Sequence, residues 1–197
     1  MSVSIPRQRI ASVTLRPMLY SGEQEGAFGG ESLPIPRMGD RWAADIETAQ
    51  LRLDAPGRDL VAALTQALTD DGSISIDQPN RPANMIAADG LVDGSGSGGT
   101  SLTVRGLPAG MAIARGIYFS IVHAGRRYVH MTTAASVVSS AGKVALPIWP
   151  MLRFLTVDGE IVELAQPRIE GKLTGFSGAK WIRNRIDPLG LVISERA

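Results

Sequence analysis

Short apolar runs with a two-residue period, punctuated by glycine and proline, fill most of this chain, and only one stretch repeats at the helical period. Ile10, Val13, Leu15 and Leu19 mark a strand from Arg9 to Leu19 behind a short polar start, with Pro17 at its edge or end. Ser21 to Asp40 is rich in Gly and Glu, contains Pro34 and Pro36, and has no sustained period. A loop that long inside a compact domain reads as an interaction arm. Trp42 to Leu53 predicts a second strand, on which Trp42, Ala44, Ile46 and Thr48 share one side. The helix is expected over about Gly57 to Leu68. Pro56 suits its first turn, Leu60, Val61, Leu64 and Leu68 share a face, and Asp70-Asp71-Gly72 stops it. A short strand from Ser73 to Asp77 follows, with Ile74 and Ile76 pointing one way.

Pro79 to Gly99 is a second long irregular stretch, ending in the flexible loop Gly94 to Gly99. Beyond it the pattern is all β. Leu102 and Val104 mark one strand, and Ile117 to Val122 another. The turn from His123 to Arg126 sends Tyr128 to Val138 back as a hairpin. Ser139 to Gly142 turns into Val144 to Ile148, which Pro147 and Pro150 are expected to end. Asp158-Gly159 precedes a strand from Ile161 to Leu164, and Arg168 to Leu173 and Leu189 to Ser194 are further strands. The expected architecture is mainly β: one domain over residues 1–197, a small antiparallel barrel or sandwich with one helix covering an open end. Its long arms lie at about 21–40 and 79–99.

Composition narrows the function. A 44% hydrophobic content supports a real core, and a net charge of +1 argues against a dedicated nucleic-acid binder. With no cysteine there is no disulfide framework, thiolate zinc site or cysteine nucleophile. The apolar runs are too short to span a bilayer. The opening MSVSIPRQRI has no apolar signal core, so synthesis in the cytoplasm is expected. Charge is uneven: residues 1–100 hold eight Lys and Arg against thirteen Asp and Glu, and residues 101–197 hold twelve against six. The simplest reading is two halves of one domain attracting each other; the second is head-to-tail contact between identical subunits in a ring.

Candidate chemistry is sparse. Gly94 to Gly99 has the glycines of a phosphate cradle, but a strand follows it and no Lys does, so a plain loop is the preferred reading. Ser177, in Gly175-Phe-Ser-Gly178, lies downstream of both histidines, which contradicts the hydrolase order. A set of His, Asp158 and Ser177 sits in too short a stretch for a two-barrel protease. His123 and His130 lack nearby carboxylates for a zinc site and read as surface or half-buried residues. Glu160 and Glu163 flank a strand and read as solvated rather than as a glycosidase acid pair. Arg126-Arg127-Tyr128 and Lys180-Trp181-Ile-Arg183-Asn-Arg185 combine cations with aromatics, a mixture that favours a protein interface over nucleic acid.

A longer pattern runs through the C-terminal half. It starts with Leu102-Thr-Val-Arg-Gly106-Leu-Pro, Ile113-Ala-Arg-Gly116-Ile-Tyr-Phe-Ser-Ile121 and the hairpin strand Arg127-Tyr-Val-His130. It continues from Ala134 through Gly142 to Pro150-Met-Leu-Arg153, then Asp158-Gly-Glu-Ile-Val162 and Ala165-Gln-Pro-Arg168. This order resembles the distal tail and related minor tail proteins of siphophages and gene transfer agents. Pro150-Met-Leu-Arg153 fills the family's Pro-x-x-Arg site; Gly116-Ile117 stands where the family has Gly-Asp. The resemblance spans roughly residues 40–170, with the Trp42 strand, the helix and the Ser73 strand in matching order.

The resemblance implies a split β-barrel with a helix, six copies of which form a ring that continues the tail tube and holds the tip hub. Larger members add a galectin-like domain, for which this chain has no room, so a minimal hub form is implied. Partners would be further copies of the chain, the tail tube protein, the tail-tip hub protein and the tape-measure protein. DNA would be only passing cargo, and no membrane anchor is expected. The location would be the virion tail, assembled in the bacterial cytoplasm. No catalytic, cofactor-binding or metal-ligating residue is assigned, no cofactor is expected, and no enzymatic activity. Two other readings are a carbohydrate-binding β-sandwich for host-surface recognition and a tube-end or head-side joining protein. The arms are expected to order in the ring and to be mobile in the monomer, and the pore to be neutral or acidic, lined from the acidic half.

Overall fold

The computed structural model describes residues 2–25, 29–35, 37–78 and 88–196. The first part of the chain runs β1 (Val3–Ser4), β2 (Ile10–Met18), β3 (Gly22–Gln24), β4 (Leu33–Ile35), β5 (Arg41–Thr48), β6 (Leu51–Arg52), α1 (Ala55–Gln66) and β7 (Gly72–Ser75). The middle holds β8 (Gly90–Val92), β9 (Gly99–Arg105), β10 (Ala112–Ile113), β11 (Tyr118–His123), β12 (Arg126–Thr132), β13 (Ser136–Val137), β14 (Lys143–Leu152) and β15 (Ile161–Glu163). The end adds β16 (Arg168–Thr174), β17 (Arg185–Ile186) and β18 (Gly190–Ser194).

The middle of the chain closes a barrel in the order β11-β12-β14-β9-β8-β15, with β15 returning to β11. The two ends of the chain share one six-stranded sheet, β1-β7-β16-β18-β5-β2. The fold is thus mainly β with an antiparallel barrel and, among the described residues, one helix, as the sequence pattern predicted; of the expected barrel or sandwich it is a barrel, and it is closed. Each unit has its own core. Strict alternation along β14 sends Val144, Leu146, Ile148 and Leu152 inward, where they meet Phe119, Ile121, Leu102 and Val104. Full burial of such side chains stabilises by about 1.5–3 kcal/mol each before the cost of ordering the chain.

The second core lies between the sheet and α1, where Leu60, Leu64 and Ala67 pack with Trp42, Ile46, Ile74 and Ile193. The helix therefore covers the sheet and not a barrel end, contrary to the sequence-based expectation. Its boundaries also fall two residues earlier, because the Asp54 carboxylate caps it by accepting from Gly57 N at 2.9 Å. Leu68 lies past the last turn and is exposed. Gly57 is required there by space, since a Cβ would come within 2.1 Å of the Arg52 carbonyl oxygen.

Pro147 and Pro150 do not end their strand. β14 runs through both, and the missing N–H groups appear instead as a break in register with β9 between Pro147 and Leu152. The Ser21–Asp40 arm is not irregular either. β3 and β4 pair antiparallel within it and make a hairpin. Of the second expected arm, residues 79–87 lie outside the described residues. Its remainder is barrel: Gly90–Val92 is β8, with Val92 fully buried.

Candidate interaction surface

The sequence candidates for catalysis and ligand binding are dispersed, and most of them are already engaged in other contacts. In the Gly94–Gly99 loop, Gly94 N donates to Asp158 Oδ1 at 2.8 Å and Gly96 N to the Thr156 carbonyl at 2.7 Å. Ser97 N donates to Thr156 Oγ1. Three of the loop's amides are thus occupied, and the loop is laced to 156–158 rather than free. Asp158 also accepts two hydrogen bonds from Arg105, and these donors hold its carboxyl below the usual range, the Gly94 amide most of all. Neither histidine is hydrogen-bonded to Asp158 or Ser177 among the described residues.

Glu160 pairs with His123 at 2.5 Å, while Glu163 accepts from Arg127 and from Ser120 Oγ at 2.8 Å. The two acids have different partners and form no pair with each other, and both are part-buried rather than solvated. His123 lies flat against Phe154, ring centroids 4.0 Å apart. His130 is fully buried in the barrel, which corrects the surface or half-buried reading. Its Nδ1 faces the Pro150 carbonyl at 2.9 Å; a carbonyl only accepts, so Nδ1 carries the hydrogen. Burial lowers its pKa to about 4. No cluster of three or more metal-ligating side chains occurs among the described residues.

The groups that sequence reasoning missed lie where barrel and sheet meet. Glu195, just past β18, accepts from Val129 N at 2.6 Å, from Trp42 N at 3.2 Å and from Arg153 Nη2 at 2.7 Å. One buried carboxylate thus ties β12 of the barrel, β5 of the sheet and the Arg of Pro150-Met-Leu-Arg153 together. Burial pushes its carboxyl pKa up, against the pull of Arg153 and the two amides. A second joint runs from Arg127 to Glu163 and Glu170, and Arg168 reaches Ser73 Oγ and Ser4 Oγ. Between the joints Trp42 meets Tyr118 and Trp149 edge-on at 5.3 and 4.8 Å. Ile117 is buried in the barrel, and its amide donates to Thr132 Oγ1 at 3.0 Å, so a neighbouring strand holds the turn there.

The free surfaces belong to the sheet. β2 is nine residues long and, among the described residues, pairs on one side only, with β5. From the Met18–Arg41 end of that pair the β3–β4 hairpin projects. Its foot is fixed by Asp40, which accepts from Tyr20 N at 2.7 Å, Ser21 N at 3.0 Å and Ser21 Oγ at 2.6 Å. Burial alone would raise the Asp40 pKa, but these three donors hold it below the ordinary value. Arg41 stacks over the Tyr20 ring at 4.4 Å. Around and along the hairpin, Leu19, Leu33 and Met38 are 66%, 65% and 58% exposed. Three apolar side chains are thus held out to solvent on or beside a hairpin braced at its foot. No protein-family model matches the chain, and no curated protein matches it. What fold and surface define is a barrel-and-sheet protein with a hairpin arm and an open sheet whose longer edge strand is β2.

Proposed function

We propose that this chain is a structural virion protein of a long-tailed bacteriophage, a distal tail protein whose copies form a ring joining the tail tube to the tail-tip hub. The observation that carries the reading is the β3–β4 hairpin, braced at its foot by Asp40 and offering Leu33 and Met38 to solvent beside the unpaired edge of β2. A ring subunit needs such an arm and such an edge. The resemblance of its element order to that of distal tail proteins supports this position in the tail.

The charged groups support the same reading. Arg127, Arg153, Glu163, Glu170 and Glu195 are spent on joining barrel to sheet, which suits a rigid building block. The aromatic residues weigh against a sugar-binding face, since Trp42, Trp149, Tyr118 and Phe119 pack inside or at the joint. In this reading the partners are further copies of the chain, the tube protein, the hub protein and the tape-measure protein, and DNA passes through. The test is the mass of the native particle in solution together with its image by electron microscopy. A closed ring of fixed stoichiometry, six in the family it resembles, is the expected result. A lone monomer at every protein concentration tried refutes the reading.

A further inference from the structure

At the opposite end of β5 from the hairpin, the chain turns through β6 and meets β17. Arg52 and Arg185 stand directly opposite each other in that two-stranded ladder, and like charges in that position repel. Arg183 joins them from a tight turn, at a φ of 57°, closed by Ile182 N donating to the Arg185 carbonyl at 2.8 Å. The three guanidinium groups line a cleft of about 630 Å³. None of them has a carboxylate partner among the described residues. The one acid in the cleft wall, Asp54, is committed to Arg9 and to the Gly57 amide. Exposed Leu53, Ile182 and Trp181 flank the arginines. The isolated subunit thus bears the cost of an uncompensated cationic ladder beside apolar surface.

The hairpin is the chemical complement. Glu23, Glu25 and Glu31 are exposed on it and have no cationic partner among the described residues, and exposed Leu33 and Ile35 lie beside them. Its one cation, Arg37, lies by Gly22 at the foot. The hairpin cannot reach the cleft of its own chain: β5 separates them by its eight residues, about 24 Å at ~3.4 Å per residue, and they leave opposite ends of it. Contact between chains satisfies both, and two different surfaces at opposite ends of β5 suit the head-to-tail contact that a ring uses.

We propose that the Arg52–Arg183–Arg185 cleft receives the acidic β3–β4 hairpin of a second copy of this chain, a pairing that rests on the ring reading and gives it a specific contact. The alternative occupant for three arginines is nucleic acid, which has the charge but no use for the flanking apolar side chains or the matching arm.

Charge exchange in the full chain tests this. One variant carries Arg52→Glu, Arg183→Glu and Arg185→Glu; the other carries Glu23→Lys, Glu25→Lys and Glu31→Lys. Each alone should associate more weakly than wild type, by more than about a hundredfold. Mixed one to one, they should assemble with strict alternation by native mass spectrometry, because each then offers the other a complementary surface. That rescue also shows both variants are folded. If wild type forms rings and either variant does so equally well, this pairing is overturned while the ring stands. If both variants fail and the mixture does not recover, the pairing is likewise overturned. A wild type that stays monomeric overturns the ring and the pairing together. If the arginine variant assembles normally but loses salt-sensitive retention of duplex DNA, the cleft belongs to nucleic acid and the pairing is overturned.

Discussion

The barrel and the six-stranded sheet are built from the same kinds of strand, yet they end differently. The barrel closes on itself through β15 and β11, so every member strand has two neighbours and its inner face is filled by the barrel's own side chains. The sheet stops at β2 on one side, carries the β3–β4 hairpin at one end and the arginine cleft at the other. Closure removes the backbone groups that another chain could pair with, and an open edge keeps them. In the proposed ring, contact between copies is therefore expected to run through the sheet, with the barrel as the rigid mass behind it.

The comparison breaks most directly at the joint. Glu195→Ala leaves Arg153 buried without its carboxylate and strands two amides, and is expected to cost about 3–5 kcal/mol in urea unfolding. A loss under about 1 kcal/mol would mean that barrel and sheet are held by the aromatic contacts alone. Next come paired core truncations, Phe119→Ala in the barrel and Leu60→Ala under the helix, each expected to cost about 2–5 kcal/mol. Because the joints couple the two cores, both variants should shift a single transition, followed by tryptophan fluorescence and far-ultraviolet dichroism. Two separable transitions would show that the cores are independent.

A smaller effect separates the cores by pH. His130 sits in the barrel with a folded pKa of about 4, below its ordinary value of 6.5. Between those values the unfolded chain binds the proton more readily. Stability present above about pH 6.5 is therefore lost as pH falls toward 4, by up to about 3 kcal/mol. The raised carboxyl of Glu195 acts in the other direction, so the measurement is the difference between wild type and His130→Gln across that window. Parallel pH profiles for the two proteins contradict the assignment. The smallest effect on stability is expected in the arm: Leu33→Ser with Met38→Ser should change unfolding free energy by less than about 0.5 kcal/mol, both side chains being exposed. The same pair should abolish ring formation, and unchanged assembly would remove the arm from the interface.

Much of the fold was legible because its cause is local. Alternation marked β5, short apolar runs between turns marked β2, β9, β11 and β16, the turn at Ala124-Gly125 fixed the β11–β12 hairpin, and Leu60 and Leu64 gave the helix its face. Arg153 was visible as part of a motif, though not what it binds. Its partner Glu195 lies 42 residues further on, at the end of an apolar strand where an acid gives no local signal. The arginine cleft was half legible: Arg183 and Arg185 stood out beside Trp181, but Arg52 comes from the far end of the chain and is brought opposite Arg185 only by the β6–β17 ladder.

The amino-acid order by itself determined the class of fold, the single helix, the turns and the poverty of reactive groups. Those follow from periodicity, from glycine and proline, and from composition, all of which act over a few residues. Tertiary structure decided the rest: that the middle of the chain closes as a barrel while the two ends share a sheet, that the helix covers the sheet, and that His130 is buried. It also placed acidic arm and basic cleft at opposite ends of β5. These depend on which distant strands pair, and strand pairing is settled by the joint packing of side chains from segments far apart in the chain.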